Sequence, residues 1–132
     1  MKYIKTKWGM LKHFFVMPII TSVLIPMVIM DIWMEIYHRI CFPLCGIKYV
    51  KRSNYILIDR HKLKYLNIFE KIYCVYCGYG NGVVRYWSEI AAETEYYWCG
   101  IQHAKKQGFK VPPHHEKFAK YNDEKDFEEK YL

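Results

Sequence analysis

Residues 14–30 read FFVMPIITSVLIPMVIM, and this run decides how the rest of the chain is organised. Its 17 residues carry no charge. This length is at the lower limit for a helix that crosses a bilayer, which needs about 20 residues. Pro18 and Pro26 interrupt the run, and a proline inside a helix costs about 3 kcal/mol. The run therefore predicts two helical segments, one opening near Pro18 and the next near Pro26.

Basic residues flank the run on both sides. Lys2, Lys5, Lys7 and Lys12 precede it together with Trp8, which is typical of an arm at the membrane interface. The basic residues that follow are Arg39, Lys48, Lys51, Arg52, Arg60, Lys62 and Lys64. Since neither side is poor in Lys and Arg, the flanks favour a re-entrant or in-plane anchor with both ends in the cytoplasm. A single tilted span is the alternative.

The composition narrows the class of protein. The 132 residues are 52% hydrophobic and 18% aromatic, which argues against a disordered chain. The length predicts one domain, or one domain plus an anchor. The net charge of +7 makes anionic lipid the expected partner, and the lack of a dense arginine block argues against nucleic acid. Residues 31–35 offer no small-residue cleavage site, so we expect an uncleaved, cytoplasm-facing chain, on the inner membrane if bacterial.

The expected fold is mainly α, with a membrane-inserted helical anchor followed by a small α-rich, metal-stabilised domain. Residues 1–40 form the basic arm and anchor helices, 41–108 the small Cys/His domain, and 109–132 a charged C-terminal tail. Residues 47–50 and 55–58 are rich in β-branched and aromatic side chains around a Ser-Asn turn signal, which predicts one short hairpin. A helix is predicted over about 83–98.

The spacing of the cysteines indicates a metal site. Cys74 and Cys77 are followed by three glycines, as in a knuckle whose backbone N–H groups turn toward thiolate sulfurs. Cys99 and His103 complete the pattern C-x2-C-x21-C-x3-H, an ordinary ligand set for structural zinc. The odd cysteine count fits a reduced compartment better than a disulfide framework.

Other interpretations of the cysteines stay open. The thiols of Cys74 and Cys77 could be buried among aromatic side chains or form a redox pair. Cys41 and Cys45 compete as ligands.

A second candidate site follows the apolar run. Asp31, Glu35 and His38 fall on one helical face, and Glu35-x2-His38 has the Glu-x-x-His spacing that di-iron carboxylate proteins place on bundle helices. Candidate partners elsewhere are Asp59, His61, Glu89, Glu93 and Glu95. The alternative is interfacial ion pairing, with Glu35 and Arg39 as an i, i+4 pair. His114 and His115 lie in a Pro-rich polar segment that we expect to be solvated.

Parts of the chain resemble known families in two ways. CVYCGY, at residues 74–79, looks like the knuckle of rubredoxins and zinc ribbons, although a rubredoxin needs a second CxxC that this chain lacks. The stretches DIWMEIYHRICFPL, YVKRSNYILIDRHKLKYLN, CVYCGYGNG and YWCGIQHAK resemble a family of small bacterial membrane-associated proteins with no assigned activity. This second resemblance covers more than half of the chain and implies membrane association.

These patterns predict a membrane-anchored, cytoplasm-facing zinc protein that acts as an accessory or scaffold subunit. Its ligands are Cys74, Cys77, Cys99 and His103, and its partners are lipid and another membrane protein. The alternative is a membrane-bound non-haem metalloenzyme using iron, with Asp31, Glu35 and His38 as the candidate catalytic group. In that case Glu89, Glu93 or His61 assists.

Overall fold

The structure of the protein is a computed structural model, and it describes residues 9–132 apart from the side chain of Met10. The predicted basic arm through Trp8 lies outside the described residues. The helices are α1 (Gly9–Ser22), α2 (Leu24–Cys45), α3 (Ile68–Trp98) and α4 (Glu124–Tyr131). The 3-10 turns are Arg52–Asn54, Arg60–Lys62 and Pro113–Lys117. The predicted mainly helical class is confirmed for this part of the chain.

The chain divides into two compact units, a first unit that ends at Trp87 and a second unit that runs from Ser88 to Leu132. The division falls inside α3, whereas the sequence predicted boundaries after residues 40 and 108. The glycines after Cys77 suggested a break in the chain, but α3 is continuous through them.

Val23 alone separates α1 from α2. Pro26 lacks the N–H that would bond the carbonyl of Ser22, so the helical ladder is interrupted at this point. Val23 keeps helical torsion angles, with φ −61° and ψ −25°, and the N–H of Met27 donates to its carbonyl at 3.2 Å. The two predicted segments are confirmed, with Pro26 in the first turn of α2, although the first begins well before Pro18.

The stretch Leu11–Cys45 is long and apolar enough to cross a membrane, with a mean hydropathy of 2.2 in its 18-residue window. Only 6% of that window is buried, so little protein covers its apolar side chains. Phe14, Ile25 and Ile29 are 74%, 67% and 62% exposed. A signal sequence near the N-terminus meets the same length and composition criteria. The first unit therefore presents the long apolar helix that the sequence predicted.

The hairpin predicted over residues 47–58 does not form, and the described part of this segment contains no strand. The N–H of Val50 donates to His38 Nε2 at 3.1 Å instead of pairing with a facing strand. Arg52 opens a 3-10 turn and binds Asp31 on α2. This segment therefore bonds to α2 through Val50 and Arg52 where the sequence predicted pairing between strands.

α3 begins earlier than predicted because Asn67 and Glu70 form a capping box. The N–H of Glu70 donates to Asn67 Oδ1 at 2.9 Å, and the N–H of Asn67 donates to Glu70 Oε2 at 2.9 Å. The predicted end of this helix, at Trp98, is confirmed.

Two glycines of α3 allow another chain segment to approach its backbone closely. A Cβ added at Gly78 would lie 3.3 Å from the carbonyl oxygen of Leu57, and one at Gly82 would lie 3.0 Å from Cα of Ile56. These residues are one helical turn apart and therefore lie on the same face of α3. The glycines that predicted a metal knuckle make room for residues 56–57.

The second unit packs the end of the chain. Asp123 caps α4 by accepting a backbone N–H at 3.1 Å, and Phe118 and Ala119 are buried. A Cβ at Gly100 would overlap the ring of Tyr131 on α4. Residues 109–132 are thus a packed part of the second unit, where the sequence predicted a charged tail.

Candidate functional site

The first unit holds a polar network among α2, α3 and the turn at Arg52. Arg52 donates to both carboxylate oxygens of Asp31, each at 2.7 Å, and the hydroxyl of Tyr79 donates to Asp31 Oδ2 at 2.6 Å. Asp31 is 8% exposed, so the two parallel hydrogen bonds offset the cost of removing its charge from water. The bond to Asp31 raises the pKa of Arg52. Burial and the bond to Asp31 raise the pKa of Tyr79 to about 12.

His38 is fully buried and stacks on Tyr49 with ring centroids 4.0 Å apart. Because the N–H of Val50 donates to His38 Nε2, we assign the ring proton to Nδ1, which donates to the hydroxyl of Tyr86 at 2.8 Å. That hydroxyl donates to Glu35 Oε1 at 2.5 Å. Burial and the bond to Glu35 raise the pKa of Tyr86. The polar atoms of His38 and the hydroxyl of Tyr86 thus all have partners.

This network explains the predicted face of Asp31, Glu35 and His38 without a metal. A cation at this position would have to displace Arg52 from Asp31, and both ring nitrogens of His38 are already engaged. Glu35 also holds Arg39 at 3.0 Å, as the ion-pairing interpretation predicted. The contacts therefore support a stabilising role for these side chains.

The sequence also named other candidate partners for a di-iron site. Asp59 and His61 are exposed at the second 3-10 turn, and Glu89 and Glu93 lie on the part of α3 that belongs to the second unit. None of these four belongs to a potential metal-binding group within the described residues. Glu95 belongs to such a group, together with His103 and His115.

The predicted zinc ligands are divided between the two units, with Cys74 and Cys77 in the first and Cys99 and His103 in the second. Cys74 and Cys77 lie on continuous helix, where the carbonyl of Cys77 accepts a hydrogen bond from the Asn81 side chain at 2.9 Å, so the turn that a knuckle needs is missing. Cys99 follows the end of α3 and is exposed. Cys41 and Cys45 lie near the end of α2. Among residues 9–132, no group of three or more potential ligands includes a cysteine.

The second unit contains a different group. Glu95, His103 and His115 place ligand atoms within 4.8 Å of one another. Glu95 lies in the last turn of α3 and His115 in the last 3-10 turn, while His103 lies between them in the chain. Gln102 fixes this arrangement, because its N–H donates to the carbonyl of Ala119 at 2.8 Å and its side chain donates to the carbonyl of His115 at 2.9 Å.

His115 is the buried member of the group. It is 1% exposed and stacks on Phe118 with ring centroids 4.6 Å apart. Its Nε2 lies 3.2 Å from the carboxylate of Glu95, and its Nδ1 is buried without a hydrogen-bond partner. With the proton on Nε2, Nδ1 carries a lone pair that no protein donor satisfies. A buried polar atom in this state costs about 1–3 kcal/mol.

Glu95 supplies the negative charge of the group. His114 Nε2 donates to Glu95 Oε2 at 2.8 Å, so two imidazoles approach one carboxylate. The pKa of Glu95 lies below its ordinary value. Burial by itself would raise this pKa, but the hydrogen bonds from His114 and His115 stabilise the ionised carboxylate more strongly. The carboxylate is therefore ionised and oriented by His114 at neutral pH.

A cavity of about 210 Å³ adjoins the group and is lined by His103, His115, Lys105, Lys106 and Phe109, among others. Two imidazoles and a carboxylate are an ordinary ligand set for zinc, and three protein ligands leave a tetrahedral ion one further position. The residues therefore fit a divalent transition metal.

The sequence predictions named two of these residues but placed them in separate sites. His103 was assigned to the cysteines and Glu95 to the di-iron candidates, while His115 was predicted to be solvated, which is wrong. A signal was available, because Phe118 follows His115 by three residues. In a 3-10 turn, positions i and i+3 lie on the same side.

Comparison of the chain with protein-family models, with curated proteins and with solved structures gives no match in any of the three. The resemblance to a bacterial family stays a prediction, and the function has to be argued from the residues of this chain.

Proposed function

We propose that the protein is a membrane-anchored accessory or scaffold protein whose second unit binds zinc through Glu95, His103 and His115. The observation that carries the proposal is the group of Glu95, His103 and His115, whose ligand atoms lie within 4.8 Å of one another around a buried imidazole. The proposed partners are membrane lipid and another membrane protein, and nucleic acid is not among them.

The proposed anchor is the apolar run at residues 14–30, whose side chains are largely exposed. The helical torsion angles of Val23 support one bent span over a re-entrant loop, which requires the backbone to reverse. Lys and Arg flank the run on both sides, with four lysines before it and seven Lys or Arg residues within residues 39–64. We propose that the C-terminal side lies in the cytoplasm, where these basic residues contact anionic lipid of the inner leaflet.

Protease treatment of sealed vesicles tests the anchor and its orientation. The full chain, with a tag at its C-terminus, should lose the tag in inverted vesicles and keep it in right-side-out vesicles. The reverse pattern would contradict the orientation. Release of the chain by alkaline carbonate would contradict the anchor itself.

The ligand chemistry supports zinc over the alkaline-earth ions. Imidazole nitrogen suits zinc and other late first-row metals, whereas calcium and magnesium prefer oxygen ligands. His114 holds the carboxylate of Glu95 from outside the group, as the hydrogen-bond partners of metal ligands commonly do. A metal at this site would join α3 to the last 3-10 turn and stabilise the small second unit.

Elemental analysis of the purified full chain tests the metal site. We expect stoichiometric zinc after loading and dialysis, with loss of the metal in His115→Ala and in His103→Ala. His61→Ala is the matched control, because His61 is an exposed imidazole in the first unit, and it should retain zinc. Cys74→Ser should retain zinc as well.

The opposite results separate the hypotheses. Zinc that is lost in Cys74→Ser and kept in His115→Ala would restore the Cys3His site that the sequence predicted. If the unmodified chain holds no stoichiometric metal, the metal proposal is wrong even where the anchor proves correct.

The alternative function, a membrane-bound iron enzyme at Asp31, Glu35 and His38, has less support because the polar atoms of these side chains already have partners within the protein. Stoichiometric iron that disappears in Glu35→Ala would favour it over the zinc scaffold.

A further inference from the structure

We propose that the first unit binds the acyl chain of a membrane phospholipid in an apolar cavity of about 360 Å³ beside α1 and α3. The inference rests on the membrane anchoring proposed above and adds a defined lipid site to it. The apolar side chains at the cavity wall are Met17, Ile20, Leu24, Ile58, Ile72 and Val75.

Three of the four hydroxyl groups at the cavity wall, all except that of Tyr73, are already bonded to the protein. Thr21 donates to a carbonyl one turn back in α1 at 2.8 Å. Tyr76 donates to the carbonyl of Ile20 at 2.7 Å, and Tyr79 donates to Asp31 at 2.6 Å. A polar occupant would lose its hydrogen bonds to water and gain none from these three groups. The cavity therefore favours a hydrocarbon occupant.

The cavity wall is continuous with apolar surface. Ile20, Ile58 and Ile72 line the cavity and are also 40%, 39% and 58% exposed. Phe14 and Ile19, on the same apolar helix, are 74% and 68% exposed. In a bilayer this surface is surrounded by lipid chains, so an acyl chain is the hydrocarbon present at the highest local concentration.

A wider cleft of about 860 Å³ adjoins the cavity and shares Met17, Thr21, Leu24 and Tyr73 with it. Its wall also includes His13, which directly follows Lys12 at the start of the apolar run. A lysine at this position complements the phosphate of a lipid headgroup whose chain enters the apolar part. The site thus places a positive charge next to an apolar cavity, in the same order as the headgroup and acyl chain of a phospholipid.

Photo-crosslinking tests the site. The full chain is reconstituted into phosphatidylcholine–phosphatidylglycerol vesicles that contain a phospholipid with a diazirine in one acyl chain, and adducts are mapped by mass spectrometry after irradiation. We expect adducts on Tyr76 at the cavity wall. Val75→Trp should fill the cavity and reduce them to background. Val84→Trp is the matched control, since Val84 lies on α3 outside the cavity and is 52% exposed.

The distribution of adducts separates this proposal from the anchoring on which it rests. Adducts on Phe14 and Ile19 with none on Tyr76 would overturn the lipid site and leave the anchor intact. A chain without adducts anywhere would overturn the anchor. If adducts on Tyr76 persist in Val75→Trp, the lipid that forms them does not lie in the cavity and the proposal is wrong. If Val75→Trp does not fold, Ile58→Trp narrows the cavity from another wall and should give the same loss.

Discussion

The first unit gathers two carboxylates and an imidazole, and the second gathers one carboxylate and two imidazoles, yet the two clusters reach opposite states. In the first, Arg52, Tyr79 and Tyr86 supply a partner to each carboxylate and to the ring of His38. In the second, one buried nitrogen of His115 has no partner. Residue type alone therefore does not identify a ligand site. We call the first cluster a closed network, because its polar atoms are bonded to one another and stabilise the fold. The second is open, because one of its polar atoms has no protein partner, and it has capacity for a ligand.

Removal of the cation from the closed network should have the largest effect. Arg52→Met leaves the buried Asp31 unpaired and should lower the free energy of unfolding by about 2–3 kcal/mol, at the low end for a buried pair because Arg52 is partly exposed. Urea unfolding in detergent, followed by circular dichroism, measures it. Arg39→Met should cost at most about 0.5 kcal/mol, because the Arg39 side chain is 70% exposed. Equal losses would contradict the closed network.

Tyr86→Phe breaks the same network at its centre. It leaves the Nδ1–H of His38 and one oxygen of Glu35 without their partner, so the free energy of unfolding should fall by about 1–3 kcal/mol. Tyr65→Phe, at a tyrosine that is 66% exposed, should change it by less than about 0.5 kcal/mol. Urea unfolding in detergent measures both changes. If Tyr86→Phe leaves the free energy of unfolding unchanged, the hydroxyl does not contribute to stability.

Two glycine substitutions test how closely residues 56–57 pack on α3. Gly82→Ala brings a Cβ to 3.0 Å from the backbone of Ile56 and should cost about 1–3 kcal/mol. At Gly80 the nearest atom is Sδ of Met27 at 3.5 Å, an ordinary contact, so Gly80→Ala should gain up to about 1 kcal/mol of helix propensity. Thermal unfolding midpoints should move in opposite directions. If both fall equally, the close approach is wrong.

A pair of histidine substitutions sharpens the comparison most directly. In the metal-free protein, His115→Phe keeps the stack on Phe118 and removes both the unpartnered Nδ1 and the bond from Nε2 to Glu95. The carboxylate keeps its bond from His114, so these losses and gains offset one another and the free energy of unfolding should change by less than about 1 kcal/mol. His38→Phe removes two satisfied hydrogen bonds and should cost about 2–3 kcal/mol. If the two substitutions lower the free energy of unfolding of the metal-free protein equally, the proposed difference between the two clusters is wrong.

A pH-dependent effect is expected under alkaline conditions. Tyr79 binds its proton more tightly in the folded state, with a pKa of about 12 against an ordinary value of 10.0. Its contribution is fully present below pH 10.0 and is lost as the pH rises through about 12. Urea unfolding between these pH values should show a steeper loss for the unmodified chain than for Tyr79→Phe. Tyrosinate absorbance should show Tyr79 among the last tyrosines to ionise.

The sequence predicted those features that follow from local composition. The uncharged run with two prolines indicated a broken apolar helix, and α1 and α2 show the break three residues before Pro26. The i, i+4 spacing of Glu35 and Arg39 predicted an ion pair, which forms. These features need only the helical period and the missing N–H of proline.

Features that depend on distant residues were missed. Three glycines after Cys77 are compatible with a knuckle or with a tightly packed helix, and the approach of Ile56 and Leu57 decides between them. Likewise, nothing near Asp31 in the chain identifies Arg52 as its partner. The capping box at Asn67 was readable in the sequence and would have placed the start of α3 correctly.

The wide spacing of the network along the chain has a consequence for biosynthesis. Asp31 leaves the ribosome 21 residues before Arg52 and 48 before Tyr79, and Glu35 leaves it 51 before Tyr86. Until translation passes Arg52, the nascent chain carries the carboxylate of Asp31 next to its apolar run without its cationic partner. We expect a fragment released before that point to be degraded more readily than one that contains Arg52.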